Sequence, residues 1–293
     1  MGRYIEFAKN TFPKRLSLRG LKIVVDCGHG ATYRVSPTVL RELGADVVAL
    51  NVAPDGLNIN ARCGSLYPEV AQQAVVAEGA SLGFTHDGDG DRLLCVDERG
   101  ALADGDQILA MCALDMLAEG RLPSRTVVAT VMSNVGLEVA MRQAGIRVAR
   151  TPVGDRSVLE EMLRGGHALG GEQSGHVIFT EYNTTGDGIV TALQVLAAML
   201  RAGKPLSELA ACMPRFPQVL ENVRVQRKQD LESLPKVQAQ IREAEEALAG
   251  SGRVLVRYSG TEPLARVMVE GPDEAAIRHW VAEIVAAIHD ALG

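Results

Sequence analysis

Asp87, Asp89 and Asp91 stand at alternate positions in the run HDGDGDR, from His86 to Arg92, with Gly88 and Gly90 between them. Three carboxylates this close repel one another unless a cation sits among them. Their hard oxygens suit Mg2+ or a related divalent ion, and the glycines permit the tight backbone such a loop needs. An EF-hand reading would set Asp87, Asp89, Asp91 and Glu98 at roughly the right ligand spacing. It fails because Arg92 stands where that loop needs glycine, and because strands rather than helices are expected on both sides. The plainer alternative is a solvated acidic hairpin turn.

A second run, GGEQSGH from Gly170 to His176, places Glu172, Gln173 and Ser174 between glycines. These side chains can hydrogen-bond sugar hydroxyls, and His176 can exchange a proton near neutral pH. An ordinary turn before the apolar VIFTE is the other reading. The third run, RYSGTEP from Arg257 to Pro263, joins the guanidinium of Arg257 to the hydroxyls of Ser259 and Thr261 and the amides around Gly260. That is the composition of a phosphate cradle, and equally of a simple hairpin loop. Weaker features read as structural. Gly28-His29-Gly30 lacks nucleotide-loop spacing, Asp155 reads as a helix N-cap beside Arg156, and Thr185 to Gly188 reads as the cap of a long apolar helix.

The elements that would position these runs follow a strand–helix rhythm. LKIVVD, VVALNV, SLGFTH and LLCVDE read as strands, with helices near 36–43, 68–78 and 105–120. After Leu122-Pro123-Ser124 the rhythm restarts with TVVATV, NVGLEVAMRQAG, IRVARTPV and DRSVLEEMLRGG. Strand followed by helix, repeated, predicts parallel sheets covered by helices. Past Phe216-Pro217 the order becomes β-α-β-β-α, with a helix expected near 230–249 and strands that alternate Val or Leu with Arg. The expected architecture is two successive α/β domains, 1–121 and 122–216, then a smaller α+β domain, 217–293.

Composition narrows the function classes. The 293 residues are 47% hydrophobic and 23% charged, which supports a folded core and excludes wholesale disorder. Thirty Lys+Arg against 36 Asp+Glu give a net charge of −6, unsuited to a general nucleic-acid surface. The longest apolar run, Ile189 to Leu200, is interrupted by Gln194 and too short to span a bilayer, and the first ten residues lack the apolar stretch of a signal peptide. Five scattered cysteines without a CxxC pair suggest reduced thiols in a cytoplasm.

Taken in order, the acidic, polar and basic runs resemble those of the α-D-phosphohexomutase family, and the likeness extends over essentially the whole chain. DGDGDR is similar to that family's Mg2+ loop, GEQSGH to its sugar-specificity loop and RYSGTEP to its phosphate-binding loop. ATVMSNVGLE, VGDR and TTGDGIVTALQVL resemble the glucosamine branch more than the mannose/glucose branch, and Gln173 is compatible with it. The resemblance implies interconversion of glucosamine 6-phosphate and glucosamine 1-phosphate through a 1,6-bisphosphate. In that scheme Asp87, Asp89 and Asp91 hold Mg2+, and Arg92 contacts the transferring phosphate. Glu172, Gln173 and Ser174 hold the sugar, and His176 assists proton transfer. Arg257, Ser259, Gly260 and Thr261 hold the non-reacting phosphate.

Family members carry a phosphoserine in a TASHNP-like motif of an N-terminal domain. No serine in these 293 residues precedes His-Asn-Pro. The expectation is a chain without that domain, inactive by itself and dependent on it in cis or in trans. Apolar surface left near the N-terminus would invite self-association. Two other functions stay open: a non-catalytic sugar-phosphate or metal-binding module, and a mutase acting on mannose or glucose phosphates.

Overall fold

Short runs of β-branched and aliphatic residues become the central strands, and each amphipathic stretch between them becomes a covering helix. The computed structural model describes residues 2–248, 252–259 and 262–293. By packing, the chain divides into residues 1–133 with 137–214, and residues 134–136 with 215–293.

In chain order the first unit contains α1 (Gly2–Thr11), β1 (Lys22–Asp26), α2 (Val35–Glu42), β2 (Asp46–Leu50), α3 (Glu69–Glu78), β3 (Leu82–His86), β4 (Leu93–Asp97), β5 (Leu102–Ala103) and α4 (Gly105–Ala118). It continues with β6 (Thr126–Thr130), α5 (Val135–Gln143, from Leu137 on), β7 (Arg147–Thr151), α6 (Asp155–Gly165), β8 (Leu169–Gly171), β9 (Val177–Phe179), α7 (Gly188–Ala202) and α8 (Leu206–Ala210). The strands form two sheets, ordered β2-β1-β3-β4-β5 and β7-β6-β8-β9.

The expected parallel pairing holds for three strands of each sheet and not for the rest. β2, β1 and β3 are parallel, as are β7, β6 and β8, but β4, β5 and β9 run antiparallel. A parallel return needs a crossover of a dozen or more residues. Only residues 87–92 separate β3 from β4, so these two strands form a hairpin and the acidic run is its loop.

The boundary expected at 121/122 falls inside this unit. α4 and α7 lie against strands of both sheets, and one apolar cluster runs from Ile23 and Phe84 through Leu109 and Met111 to Val127, Leu169 and Leu196, all buried. α1 lies outside the strand–helix rhythm. Its Ala8 and Thr11 are buried, with Tyr4 and Ile5 partly so on the same face, and it packs on α2 and α7.

The second unit contains β10 (Gln218–Arg224), α9 (Pro235–Leu248), β11 (Arg253–Tyr258), β12 (Leu264–Glu270) and α10 (Glu274–Leu292). Its antiparallel sheet has the order β10-β12-β11, and Val267, Val269, Ile277, Val281 and Ile284 form the core. The helix expected near 230–249 starts later, because Asp230 instead caps a short 3-10 turn and Pro235 opens α9, a position where a missing N–H costs nothing.

Candidate functional site

The β3–β4 hairpin forces its three aspartates together: one oxygen from each of Asp87, Asp89 and Asp91 lies within 4.8 Å of the others. The loop is held by its own end, since Arg92 N–H donates to Asp87 Oδ1 (3.2 Å). It is also held from β1's exit, where Ala31 N–H donates to the Gly88 carbonyl (2.8 Å). A Cβ on Gly30 would sit 2.2 Å from that carbonyl, so the Gly28-His29-Gly30 turn is a prop for the acidic loop.

Electrostatics favour a cation here. Burial, together with the charges of Asp91 and Asp89, pushes the Asp87 carboxyl up to about 7 from an ordinary 3.8. Asp91 Oδ1 is buried and has no hydrogen-bond partner. Arg92 Nε stands 3.7 Å from Asp87 and 3.8 Å from Asp91, ion-pair distances that neutralise only part of the charge. An orphaned carboxylate oxygen among three converging carboxylates fits a hard divalent ion such as Mg2+.

The second run lies directly on the first. Leu93 N–H donates to the Gly175 carbonyl (3.1 Å), and Arg92 and His176 form an antiparallel bridge. Gly175 has φ +95°, and a Cβ there would meet the Leu93 carbonyl at 2.2 Å, so only glycine lets the two loops touch. α4 fixes the other side: Asp104 caps it, and Gly105 N–H donates to the Gln173 carbonyl (3.0 Å). Ser174 is exposed, and Glu172 and Gln173 are half-buried.

Two expectations change here. Asp155 does not cap α6; Gly154 is the cap residue, and Glu172 Oε1 accepts the Gly154 N–H (3.0 Å) from across the sheet. His176 is buried with both ring nitrogens engaged. Gly186 N–H donates to Nε2 (3.0 Å), so the ring proton sits on Nδ1, which donates to Asp91 Oδ2 (3.0 Å). Both ring nitrogens are thus committed to protein partners. Asp187, as expected, caps α7, accepting from Ile189 and Val190 N–H. Beside the acidic loop a cavity of ≈ 390 Å³ is lined by Tyr4, Thr32, Asp89, Asp91, Asn183 and Asp187.

In the second unit, Arg257 is the penultimate residue of β11, and Ser259, buried, follows the strand's last residue, Tyr258. Gly260 and Thr261 lie outside the described residues. The loop gathers two cations that the sequence reading did not single out. Lys228 Nζ donates to the Ser259 carbonyl (2.5 Å), and Arg266 stands directly opposite Arg257 across β11 and β12. Like charges opposed in a ladder repel, and Glu262 offsets part of this with an oxygen 3.5 Å from Arg266 Nη2. Strand alternation within RYSGTEPLAR could have flagged Arg266; Lys228 had no local signal.

Residues 2–100 match the model described as phosphoglucomutase/phosphomannomutase, alpha/beta/alpha domain II, residues 104–216 domain III, and residues 220–287 the C-terminal domain. The chain is 59% identical over 292 residues to a phosphoglucosamine mutase of Syntrophotalea carbinolica, covering 100% of this chain and 64% of that protein. It is 63% identical over 275 residues to the phosphoglucosamine mutase of Symbiobacterium thermophilum, covering 94% and 62%. A phosphoglucomutase/phosphomannomutase family protein of Burkholderia thailandensis superimposes with a TM-score of 0.80 at 25% identity, over 99% of this chain and 64% of that one. The Aspergillus fumigatus N-acetylphosphoglucosamine mutase, solved with GlcNAc-6P and magnesium, shares the fold at a TM-score of 0.79 and 23% identity, over 99% and 66%. The chain thus spans 64% of the length of its Syntrophotalea relative. No helix among the described residues is long and apolar enough to cross a membrane.

Proposed function

Since the chain belongs to the phosphoglucomutase/phosphomannomutase family, we propose that it supplies the cation, sugar and phosphate sites of an enzyme interconverting glucosamine 6-phosphate and glucosamine 1-phosphate. One observation carries this reading: the acidic hairpin loop and the Gly170–His176 loop are bonded to each other within a single unit. Asp87, Asp89 and Asp91 would hold Mg2+, which when bound supplies charge neutralisation for a transferring phosphoryl group. The Arg92 side chain, 43% exposed, reaches the same phosphate with its guanidinium. Glu172 keeps one carboxylate oxygen for a sugar hydroxyl while the other braces Gly154, and Ser174 and Gln173 complete the sugar contacts. His176 serves as a support for Asp91 rather than a proton shuttle. Arg257, Ser259, Gly260 and Thr261 hold the non-reacting phosphate, joined by Arg266 and Lys228.

The phosphoryl donor is a phosphoserine on a segment outside these 293 residues, and the chain by itself does not turn over. The same proposal includes domains 1–121, 122–216 and 217–293, a cytoplasmic setting supported by five free thiols, and self-association through apolar surface near the N-terminus, where Phe7 is exposed. Calorimetric titration tests the sugar assignment. Glucosamine 6-phosphate should bind more tightly than mannose or glucose 6-phosphate in the presence of Mg2+. Arg257→Ala should weaken all three about tenfold or more, as loss of a charge-assisted contact requires. Equal affinity for the three sugars would point instead to another branch of the family, and no binding at all to an unrelated role.

A further inference from the structure

Helix α1 is far from the acidic loop in sequence, yet it is joined to it by a continuous series of hydrogen bonds. Tyr4 Oη donates to the Asp187 carboxylate (2.8 and 2.9 Å). Burial first, and then the Asp187 charge, hold the phenol protonated well above its ordinary range, so it stays a donor. Asp187, almost fully buried, uses the same carboxylate to cap α7, which fixes the turn that carries Gly186. From that turn Gly186 N–H donates to His176 Nε2, and Gly188 N–H donates to the Gly90 carbonyl (3.0 Å) inside the acidic loop. No side chain fits at Gly186, whose Cβ would meet the His176 ring at 2.6 Å and the Asp91 carbonyl at 2.7 Å. His176 then presents Nδ1–H to Asp91 Oδ2, leaving Oδ1 without a hydrogen bond and only Arg92 Nε at ion-pair distance, 3.8 Å.

We propose that Tyr4 is a positioning residue for the cation ligand Asp91, acting through Asp187, the Gly186 amide and His176. The inference rests on the reading of Asp87, Asp89 and Asp91 as a divalent-cation site. Its physical content is pre-organisation. A carboxylate whose second oxygen is anchored by a ring of fixed tautomer offers its first oxygen in one direction, and outer partners of this kind commonly alter metal affinity by about 10- to 100-fold. Tyr4 stands one step further out and acts only by holding the turn, so the loss of its hydroxyl should cost about three- to fivefold, the worth of one net hydrogen bond.

The test is Mn2+ titration of the full 293-residue chain, followed by electron paramagnetic resonance, with the protein melt recorded for each variant. Tyr4→Phe should raise the Mn2+ dissociation constant about three- to fivefold. His176→Leu should raise it about tenfold or more, whereas His176→Asn, which keeps a donor near the Nδ1 position, should stay within about twofold. Adding Tyr4→Phe to His176→Leu should cost clearly less than Tyr4→Phe costs alone, because the His176 path is already broken and only the Gly188–Gly90 bond still joins the turn to the loop. A long-range nitrogen spectrum should show His176 as the Nδ1–H form in the wild type and a mixture of forms in Tyr4→Phe. Unchanged affinity in Tyr4→Phe, or an equal loss in both backgrounds, overturns the positioning role while leaving the cation site intact. A wild-type chain that binds no Mn2+ overturns the cation reading, and this inference with it.

Discussion

Cation binding should depend steeply on pH, through Asp87. In the cation-free protein its carboxyl is held at about 7, by burial and by Asp91 and Asp89, against an ordinary 3.8. The sign follows from linkage. A carboxyl raised on folding favours the cation-free fold at pH below its ordinary range, and that contribution disappears as the pH rises through 7. A divalent ion needs the carboxylate, so it must displace the proton. With a value of 7, Asp87 is about 90% protonated at pH 6 and about 10% at pH 8, which makes the apparent affinity for Mg2+ about tenfold weaker at pH 6. Titration calorimetry in two buffers of different ionisation enthalpy reads both quantities. The dissociation constant should fall about tenfold from pH 6 to pH 8, and proton release should drop from about 0.9 to about 0.1 per ion. The thermal shift given by saturating Mg2+ should likewise be larger at pH 8. Asp87→Asn should bind more weakly and lose the slope. A flat dissociation constant between pH 6 and pH 8 in the wild type, or an unchanged slope in Asp87→Asn, would refute the reasoning.

Two further outcomes follow from packing. Gly175→Ala places a methyl 2.2 Å from the Leu93 carbonyl at φ +95°, and should destabilise the chain by about 1–3 kcal/mol in urea unfolding while weakening Mg2+ binding. His86 is fully buried, its Nε2 paired with Ser36 Oγ (2.9 Å), and burial lowers its pKa to about 4. A depressed imidazole loses stability as pH falls from about 6.5 toward 4, so His86 should cost the fold about 3 kcal/mol between pH 7 and pH 4. Asp87 titrates in the opposite sense over part of that range, so the difference between wild type and His86→Gln in urea unfolding is the quantity to measure.

What the sequence disclosed is what depends on neighbours in the chain. The alternating Asp and Gly residues of HDGDGDR converge because the loop is so short, and most of the longer strands and helices followed from their own periodicity, whereas α1, β5 and α8 did not. The direction of β4 was also legible in principle, since six residues cannot build a crossover, but the strand–helix rhythm concealed it. Pairings between distant segments were not legible. His176 looked free to shuttle protons because its two partners, Asp91 and Gly186, are chosen by the fold. Asp155 looked like a helix cap, but α6 begins at Asp155 itself and Gly154 takes the cap position, held by Glu172 from another part of the chain. Tyr4 drew no notice in a short polar helix, and its function appears only when α1 lies on α7. The same holds for Lys228, which reaches Ser259 from a different loop.

The most direct measurement is turnover. Glucosamine 6-phosphate, Mg2+ and a catalytic trace of hexose 1,6-bisphosphate would be followed by phosphorus NMR, with the purified 293-residue chain alone and with the chain joined behind the N-terminal region of its Syntrophotalea relative that it does not match. The expected result is no glucosamine 1-phosphate from the chain alone, conversion by the joined protein, and loss of that conversion in Asp89→Asn. Sustained conversion by the chain alone would contradict it.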